Sequence, residues 1–373
     1  MKAAVYFSPD DIRYIDVDTP SINDDEILIK VKAVGVCGSD LLKIENQLVS
    51  DGTILGHEVS GDIIETGKNI TNFKSGDRVV AAHHSPCFKC HYCLHESYSS
   101  CRTFKQTNIF PGGFAEYVKV PAYLVKNTLF KIPDNLSYEE SIFMEPLACC
   151  IRAIKRAFAL LNPSDMSFYA RSNFLINTGM SKRFKGKYID KTDSAKQKDT
   201  IVIIGLGVVG LLFVQLCNIL DSDVIGFDII KDRVNMAKHI GAKIAVKEDQ
   251  HVLKESINTI SDNKGADLII LAAGNASLLP LAISLVRDGG IILIFSSTKE
   301  ESINIDFNAL YFREISLISS YSPSPHELKE ALELLKINKI IVKDLISSCL
   351  PLSDAKAGIK TAFNKRALKV IFR

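Results

Sequence analysis

The sequence predicts an α/β protein: a mostly-β first part, then a doubly wound parallel sheet, then a return to the first part. Three observations carry this. Residues 27–33 alternate with a period of two, Ile27, Ile29, Val31 and Ala33 against Leu28, Lys30 and Lys32, as a half-buried strand requires. From Thr200 onward, short apolar runs alternate with helical stretches: IVIIG, then VVGLLFVQLCNIL, then VIGFD, with ADLIILAAG and IILIFSS later. That alternation builds a parallel sheet covered by helices. After about residue 320 come a helical stretch (HELKEALELLKI), mixed segments and a last strand near ALKVIF.

The first part is therefore split. The expected domains are 1–155 and 156–320, with 321–373 returning to the first. Two domains of ordinary size suit a chain of 373 residues. Within the first part, GDIIETGKN and SGDRVVAAH read as short strands bounded by Gly and Asp turns. Ser137 to Glu140 is S-x-x-E, a capping box that opens a helix. Pro146 is expected to break that helix, with a second segment running from about Leu147 to Phe158.

Composition excludes several classes. Hydrophobic residues make up 47% and charged residues 24%, a globular balance. The net charge of +2, on 45 basic and 43 acidic residues, gives no electrostatic case for nucleic acid or an anionic membrane. MKAAVYFSPDD turns polar too early for a signal peptide, and no apolar run reaches membrane-helix length. Nine cysteines without an export signal point to a reducing, cytoplasmic setting. Cys149, Cys150, Cys217 and Cys349 are expected to be small buried apolar residues.

The other five cysteines carry chemistry. Cys87, Cys90, Cys93 and Cys101 are spaced C-x2-C-x2-C-x7-C, too tight for a disulfide framework and suited to one structural zinc in a lobe at 85–103. Upstream, Cys37 in GVCGSD and His57-Glu58 in GHEVSG form a mixed set of the kind that keeps one position open for a substrate. His83, His84, His91 and His95 surround the cysteines. Four thiolates already complete a shell, so these histidines are read as surface residues or as partners of ligands.

Gly205-Leu206-Gly207-Val208-Val209-Gly210 is G-x-G-x-x-G between the strand IVII and a helix, the context that makes this motif a dinucleotide fingerprint. Its glycines permit a tight turn, a close approach to pyrophosphate, and helix–strand packing. Asp228 closes the second strand, where a carboxylate accepts the ribose hydroxyls and repels a 2′-phosphate, favouring NAD over NADP. Lys231 and Arg233 follow it and can bind a 2′-phosphate, pack against adenine, or pair with acids.

On GVCGSD (35–40), GHEVSG (56–61), the four-cysteine lobe, GGFAEYV (112–118), EPLACC (145–150), GLGVVG (205–210) and Asp228, the chain resembles the zinc-dependent medium-chain alcohol/polyol dehydrogenases of the sorbitol and threonine dehydrogenase type. The resemblance implies a GroES-like catalytic domain, a Rossmann domain, a catalytic zinc on Cys37, His57 and Glu58, and a second, structural zinc. It implies that Glu145 lies near the catalytic zinc, as ligand or bonded to its water. Ser39 would take the alcohol proton, and Arg313 would stand at the substrate site. It also implies a homodimer or homotetramer, built by pairing the strand EISLISS (314–320) with its copy.

The expected activity is hydride transfer from a polyol, sugar alcohol or hydroxy-amino acid to NAD. Two other readings are a zinc-free NADPH quinone or enone reductase and a non-catalytic NAD-binding redox sensor. The sequence departs from the family twice. Leu42 stands where many relatives carry a proton-passing histidine, and an insertion at 162–199 separates the two domains. It reads as a solvated surface segment, a flap or an oligomer contact.

Overall fold

The computed structural model describes residues 1–161, 198–298 and 302–373. Nearly all of the insertion, 162–197, lies outside the described residues. The chain divides into two compact units, Met1–Cys149 with Ser322–Arg373, and Cys150–Tyr321. The first boundary thus falls inside the helix Met144–Leu161, ahead of the expected residue 155.

The first unit holds two sheets. A small one orders its strands β2–β1–β4, with β1 at Lys2–Ser8, β2 at Asp11–Asp16 and β4 at Thr53–Ile54. The larger follows the path β15–β16–β3–β5–β6–β8, with β7 also pairing β3. Its strands are β3 (Ile27–Gly35), β5 (Glu58–Thr66), β6 (Arg78–Ala81), β7 (Tyr117–Val120), β8 (Leu129–Lys131), β15 (Ile346–Leu350) and β16 (Lys369–Phe372). The core is made by Ile27, Ile29, Val34, Val59, Val79, Phe114 and Phe372, among others.

Strand β3 does not keep its simple alternation. Its pairing with β5 shifts between Leu28 and Ile29 and again between Val31 and Ala33. Such irregularities turn successive residues to new faces. Leu28 is accordingly buried, and Val31 only partly so.

The capping box forms: Glu140 N–H donates to Ser137 Oγ at 3.1 Å, and Ser137 N–H donates to Glu140 Oε2 at 3.0 Å. Pro146 is not where the helix breaks. The first helix stops at Ser141, and the second starts at Met144, two residues before the proline. Proline is tolerated there because first-turn N–H groups have no partner inside the helix.

The second unit is a six-stranded parallel sheet ordered β11–β10–β9–β12–β13–β14. The strands are β9 (Thr200–Ile204), β10 (Asp223–Asp228), β11 (Ile244–Lys247), β12 (Ala266–Leu271), β13 (Val286–Ile294) and β14 (Ser316–Ser319). Renumbered within the sheet the order is 3-2-1-4-5-6, the doubly wound order of dinucleotide-binding domains. Among the described residues, no helix is long and apolar enough to cross a membrane.

Candidate active site

Cys37 ends the loop after β3 and caps the helix Gly38–Glu45. His57 and Glu58 sit where the chain enters β5, whose first pair sets Glu58 opposite Gly35. A side chain at position 35 would come within 2.1 Å of Glu58 Oε2, so Gly35 makes room for that carboxylate. Antiparallel pairing of β3 and β5 therefore brings Cys37 beside His57. One donor atom from each of Cys37, His57 and Glu58 lies within 4.8 Å of the others. A thiolate, an imidazole and a carboxylate at that spacing fit one zinc, with a position left for a substrate oxygen.

The four lobe cysteines also converge within 4.8 Å. Cys90 Sγ is 3.5 Å from Cys93 Sγ, and Cys87 Sγ is 3.9 Å from it. A tetrahedron with Zn–S bonds of about 2.3 Å has S–S edges of about 3.8 Å, so this cluster already has the dimensions of a four-thiolate zinc site. Burial, reinforced by the neighbouring sulfurs, pushes the Cys93 thiol up to about 12. Four crowded thiols ionise together only around a cation.

In the second unit, Gly205 ends β9 with φ +97°, and a side chain on Gly210 would meet the Gly205 carbonyl oxygen at 1.9 Å. Both positions need glycine for the turn itself. Gly207 differs: a side chain there would meet only Arg233 Nη1, at 3.8 Å. The protein leaves open space in front of this residue, which caps the helix Val208–Ile219, and that is the cradle a pyrophosphate needs. Asp228 is buried; its Oδ2 accepts from Leu206 N at 2.7 Å and its Oδ1 from Ile230 N at 2.8 Å. Arg233 Nη1 stands 3.8 Å from Asp228 Oδ2. The carboxylate thus braces the glycine-rich loop from below.

Two family models match the chain, the alcohol dehydrogenase GroES-like domain over residues 23–134 and the zinc-binding dehydrogenase domain over 208–336. The chain belongs to the zinc-type medium-chain alcohol dehydrogenases. It is 29% identical to D-arabitol-phosphate dehydrogenase of Enterococcus avium, over 97% of this chain and 94% of that one. It is also 29% identical to sorbitol dehydrogenase of Bacillus subtilis, over 100% and 96%. Among solved structures, the alcohol dehydrogenase TADH of Thermus sp. ATN1 is similar with a TM-score of 0.81 at 25% identity, over 100% and 99% of the two chains.

Around its candidate zinc ligands this dehydrogenase holds partners that no local pattern announced. Asp40 is wholly buried; its Oδ2 accepts from Cys37 N at 3.1 Å, and its Oδ1 lies 3.3 Å from His57 Nδ1. One carboxylate so orients two ligand residues and leaves His57 Nε2 for the metal. The only sequence signal was the Asp of GVCGSD. Burial alone would lower the His57 pKa, but the charges of Asp40 and Cys37 outweigh it and raise it well above the usual value. Lys369, from β16, donates to both Glu58 oxygens at 2.8 and 2.7 Å and to Val36 O at 3.3 Å. Burial works against this ammonium, and the charges of Glu58 and Cys37 more than restore it. Removing Lys369 alone would strand a buried carboxylate, at a cost of about 3–5 kcal/mol.

Glu145 is buried in the first turn of its helix and accepts from Cys149 Sγ at 3.5 Å. Burial, and then the charge of Glu58, raise its pKa against the pull of His57 and Lys369. Ser39 is exposed at the start of the helix Gly38–Glu45. Arg313 belongs to the second unit, where its guanidinium donates to Asp288 Oδ1 at 2.7 Å, to Ile283 O at 2.7 Å, and to Val286 O. Of the four remaining cysteines, Cys150 and Cys217 are buried as expected. Cys149 and Cys349 are only half-buried, and Cys149 is drawn to Glu145 rather than to a purely apolar neighbourhood. His91 and His95 are exposed, whereas the half-buried His83 ring lies 4.5 Å from that of His57.

Proposed function

We propose that this dehydrogenase oxidises a secondary alcohol of the polyol, sugar-alcohol or hydroxy-amino-acid kind, with two zinc ions per chain and NAD as hydride acceptor. The observation that carries the reading is the convergence of Cys37, His57 and Glu58 within 4.8 Å, beside the helix that bears Ser39. Relatives named for D-arabitol phosphate and sorbitol support the polyol class. When bound, zinc supplies Lewis-acid polarisation of the alcohol oxygen and NAD supplies the hydride acceptor. Ser39 takes the alcohol proton. Asp40 fixes the His57 ring, and Lys369 holds Glu58 in register. Backbone N–H groups after Gly207 bind the pyrophosphate, with Val208, Val209 and Gly210 forming the helix start. Asp228 presents its carboxylate to the adenosine ribose with Arg233 alongside. Arg313 takes no substrate role, because each of its three guanidinium nitrogens is engaged, by Asp288, Ile283 O and Val286 O at the start of β13. Five of the nine cysteines serving as metal ligands rather than disulfides would suit a reducing, cytoplasmic setting. A panel of alcohols and polyols, followed by nicotinamide absorbance, tests the reading; no turnover with any of them refutes it.

Replacing Asp228 by Ser removes the repulsion of a 2′-phosphate and one brace of the loop. The kcat/KM ratio of NAD to NADP is expected to fall at least about tenfold, a change of about 1.4 kcal/mol. An unmodified enzyme that already uses both cofactors equally would show that Arg233 outweighs Asp228.

With Leu42 at the usual proton-passing position, Glu145 is the proposed exit route. Its pKa is raised, so it retains a proton to higher pH than an ordinary carboxyl and loses it as pH rises through that raised value. Glu145→Gln is expected to lower kcat about 10- to 100-fold and to flatten the acidic limb of the pH–rate profile. Parent-like kinetics across pH would leave the carboxylate a structural group.

Strand β14 is an edge of its sheet and pairs only with β13 among the described strands. Unpaired edges invite pairing, so a homodimer or homotetramer through β14 is expected. Light scattering at working concentration checks this, and a monomer rejects it.

A further inference from the structure

Resting on that reading, we infer that Lys369 is a positioning residue: it holds the Glu58 carboxylate back from the catalytic zinc, so that Glu58 is a weak ligand and one position stays open to the alcohol. The observation behind this is a closed clamp. Lys369 and Glu58 are both buried, 3% and 1% exposed. The Lys369 ammonium donates to Glu58 Oε1 at 2.8 Å and to Oε2 at 2.7 Å, and its third bond goes to Val36 O at 3.3 Å. The buried Phe143 ring covers it, with its centroid 5.7 Å from the nitrogen. Gly35 leaves the space that Glu58 Oε2 fills, since a side chain there would lie 2.1 Å from that oxygen.

Such a clamp is more than a zinc ligand needs. A neutral hydrogen-bond donor would orient a ligating carboxylate and leave its charge for the metal. Here both oxygens are engaged by a full positive charge, in a buried place where charges act strongly on one another. A zinc ion beside Cys37 and His57 would then meet a neutral pair in place of a free anion.

The two roles open to Lys369 predict opposite signs. If it only steadies Glu58 for the metal, removing it loosens zinc. If it draws Glu58 away, removing it tightens zinc. Without Lys369, the metal-free protein would hold a buried carboxylate with no cation beside it, which is destabilising. Zinc would supply the missing cation and so recover in binding what the metal-free state lost. Glu58 would then also occupy the position that a substrate oxygen needs.

The test measures zinc at the Cys37 site by competition with a chromogenic chelator, with Cys37→Ser as the blank for zinc in the lobe. Lys369→Met is expected to hold this zinc more tightly than the parent, by about tenfold, and to turn over more slowly, also by about tenfold. Zinc held equally or less tightly, or an unchanged kcat, overturns the inference. If Lys369→Met does not fold, the double variant Lys369→Met with Glu58→Gln decides, because it strands no charge. Removing the pair together should weaken zinc binding by less than about tenfold, and any larger loss would make Glu58 a full ligand and overturn the inference. The zinc content of the parent judges the dehydrogenase reading separately: a parent no richer in zinc than Cys37→Ser removes the site itself, and this inference with it.

Discussion

His57→Ala is expected to abolish turnover, by at least about 10³-fold, while the protein stays folded. Lewis-acid polarisation is worth several kcal/mol, and each 1.36 kcal/mol is tenfold in rate, so losing about 4 kcal/mol accounts for that factor. The variant should also lose one zinc of about two per chain, because Cys37 and Glu58 alone leave a two-ligand site. Stability changes less. The buried Asp40 loses one of its two neighbours and keeps its bond from Cys37 N, a penalty of about 1–3 kcal/mol. Elemental analysis, a thermal melt and initial rates on one preparation check all three. A variant that retains both zinc ions and its activity would sink the assignment of Cys37, His57 and Glu58.

Cys90→Ala should do the reverse and damage the fold first. The lobe has almost no core of its own. Its apolar cluster is Cys93, Cys101 and the adjoining Phe104, with Cys87, Cys90 and Tyr98 packed against them. Tyr92 and Leu94 are instead exposed, at 51% and 72%. So small an apolar cluster does not hold a segment by itself, and the metal supplies the difference. Zinc-finger peptides gain about 10–16 kcal/mol from zinc; here part of that is replaced by the attached β-sheet, so it is an upper bound. We expect one zinc lost, a melting midpoint lower than that of His57→Ala, and new protease cleavage between residues 88 and 100. Turnover should fall only with the folded fraction. Loss of zinc with an unchanged melt and unchanged protease resistance would mean that the lobe stands without metal.

Much of this was legible in the sequence, because the physics involved is local. The four cysteines lie within 15 residues, so their convergence needs only turns and one short helix. The glycine-rich loop is read from a strand, three glycines and a helix in succession, and its acidic partner closes the next strand. Hydrophobic period and capping chemistry act over a few residues, and the capping box at Ser137 formed as written. Local rules also misled at short range. A proline tolerated in a first turn looked like a break at Pro146, and the pairing shifts in β3 buried Leu28 against its alternation.

What only the tertiary structure decided is which distant side chains surround the ligands. Lys369 is 311 residues from Glu58 and reaches it because β16 inserts beside β3, with Ile371 opposite Gly35 and Phe372 opposite Val34. His83 meets His57 because β5 and β6 pair and carry the loops at their ends together. Asp40 joins Cys37 to His57 because a helix N-terminus faces the start of β5. These contacts depend on strand order and register, which are set by the packing of the whole sheet, and no window of neighbouring residues contains that information.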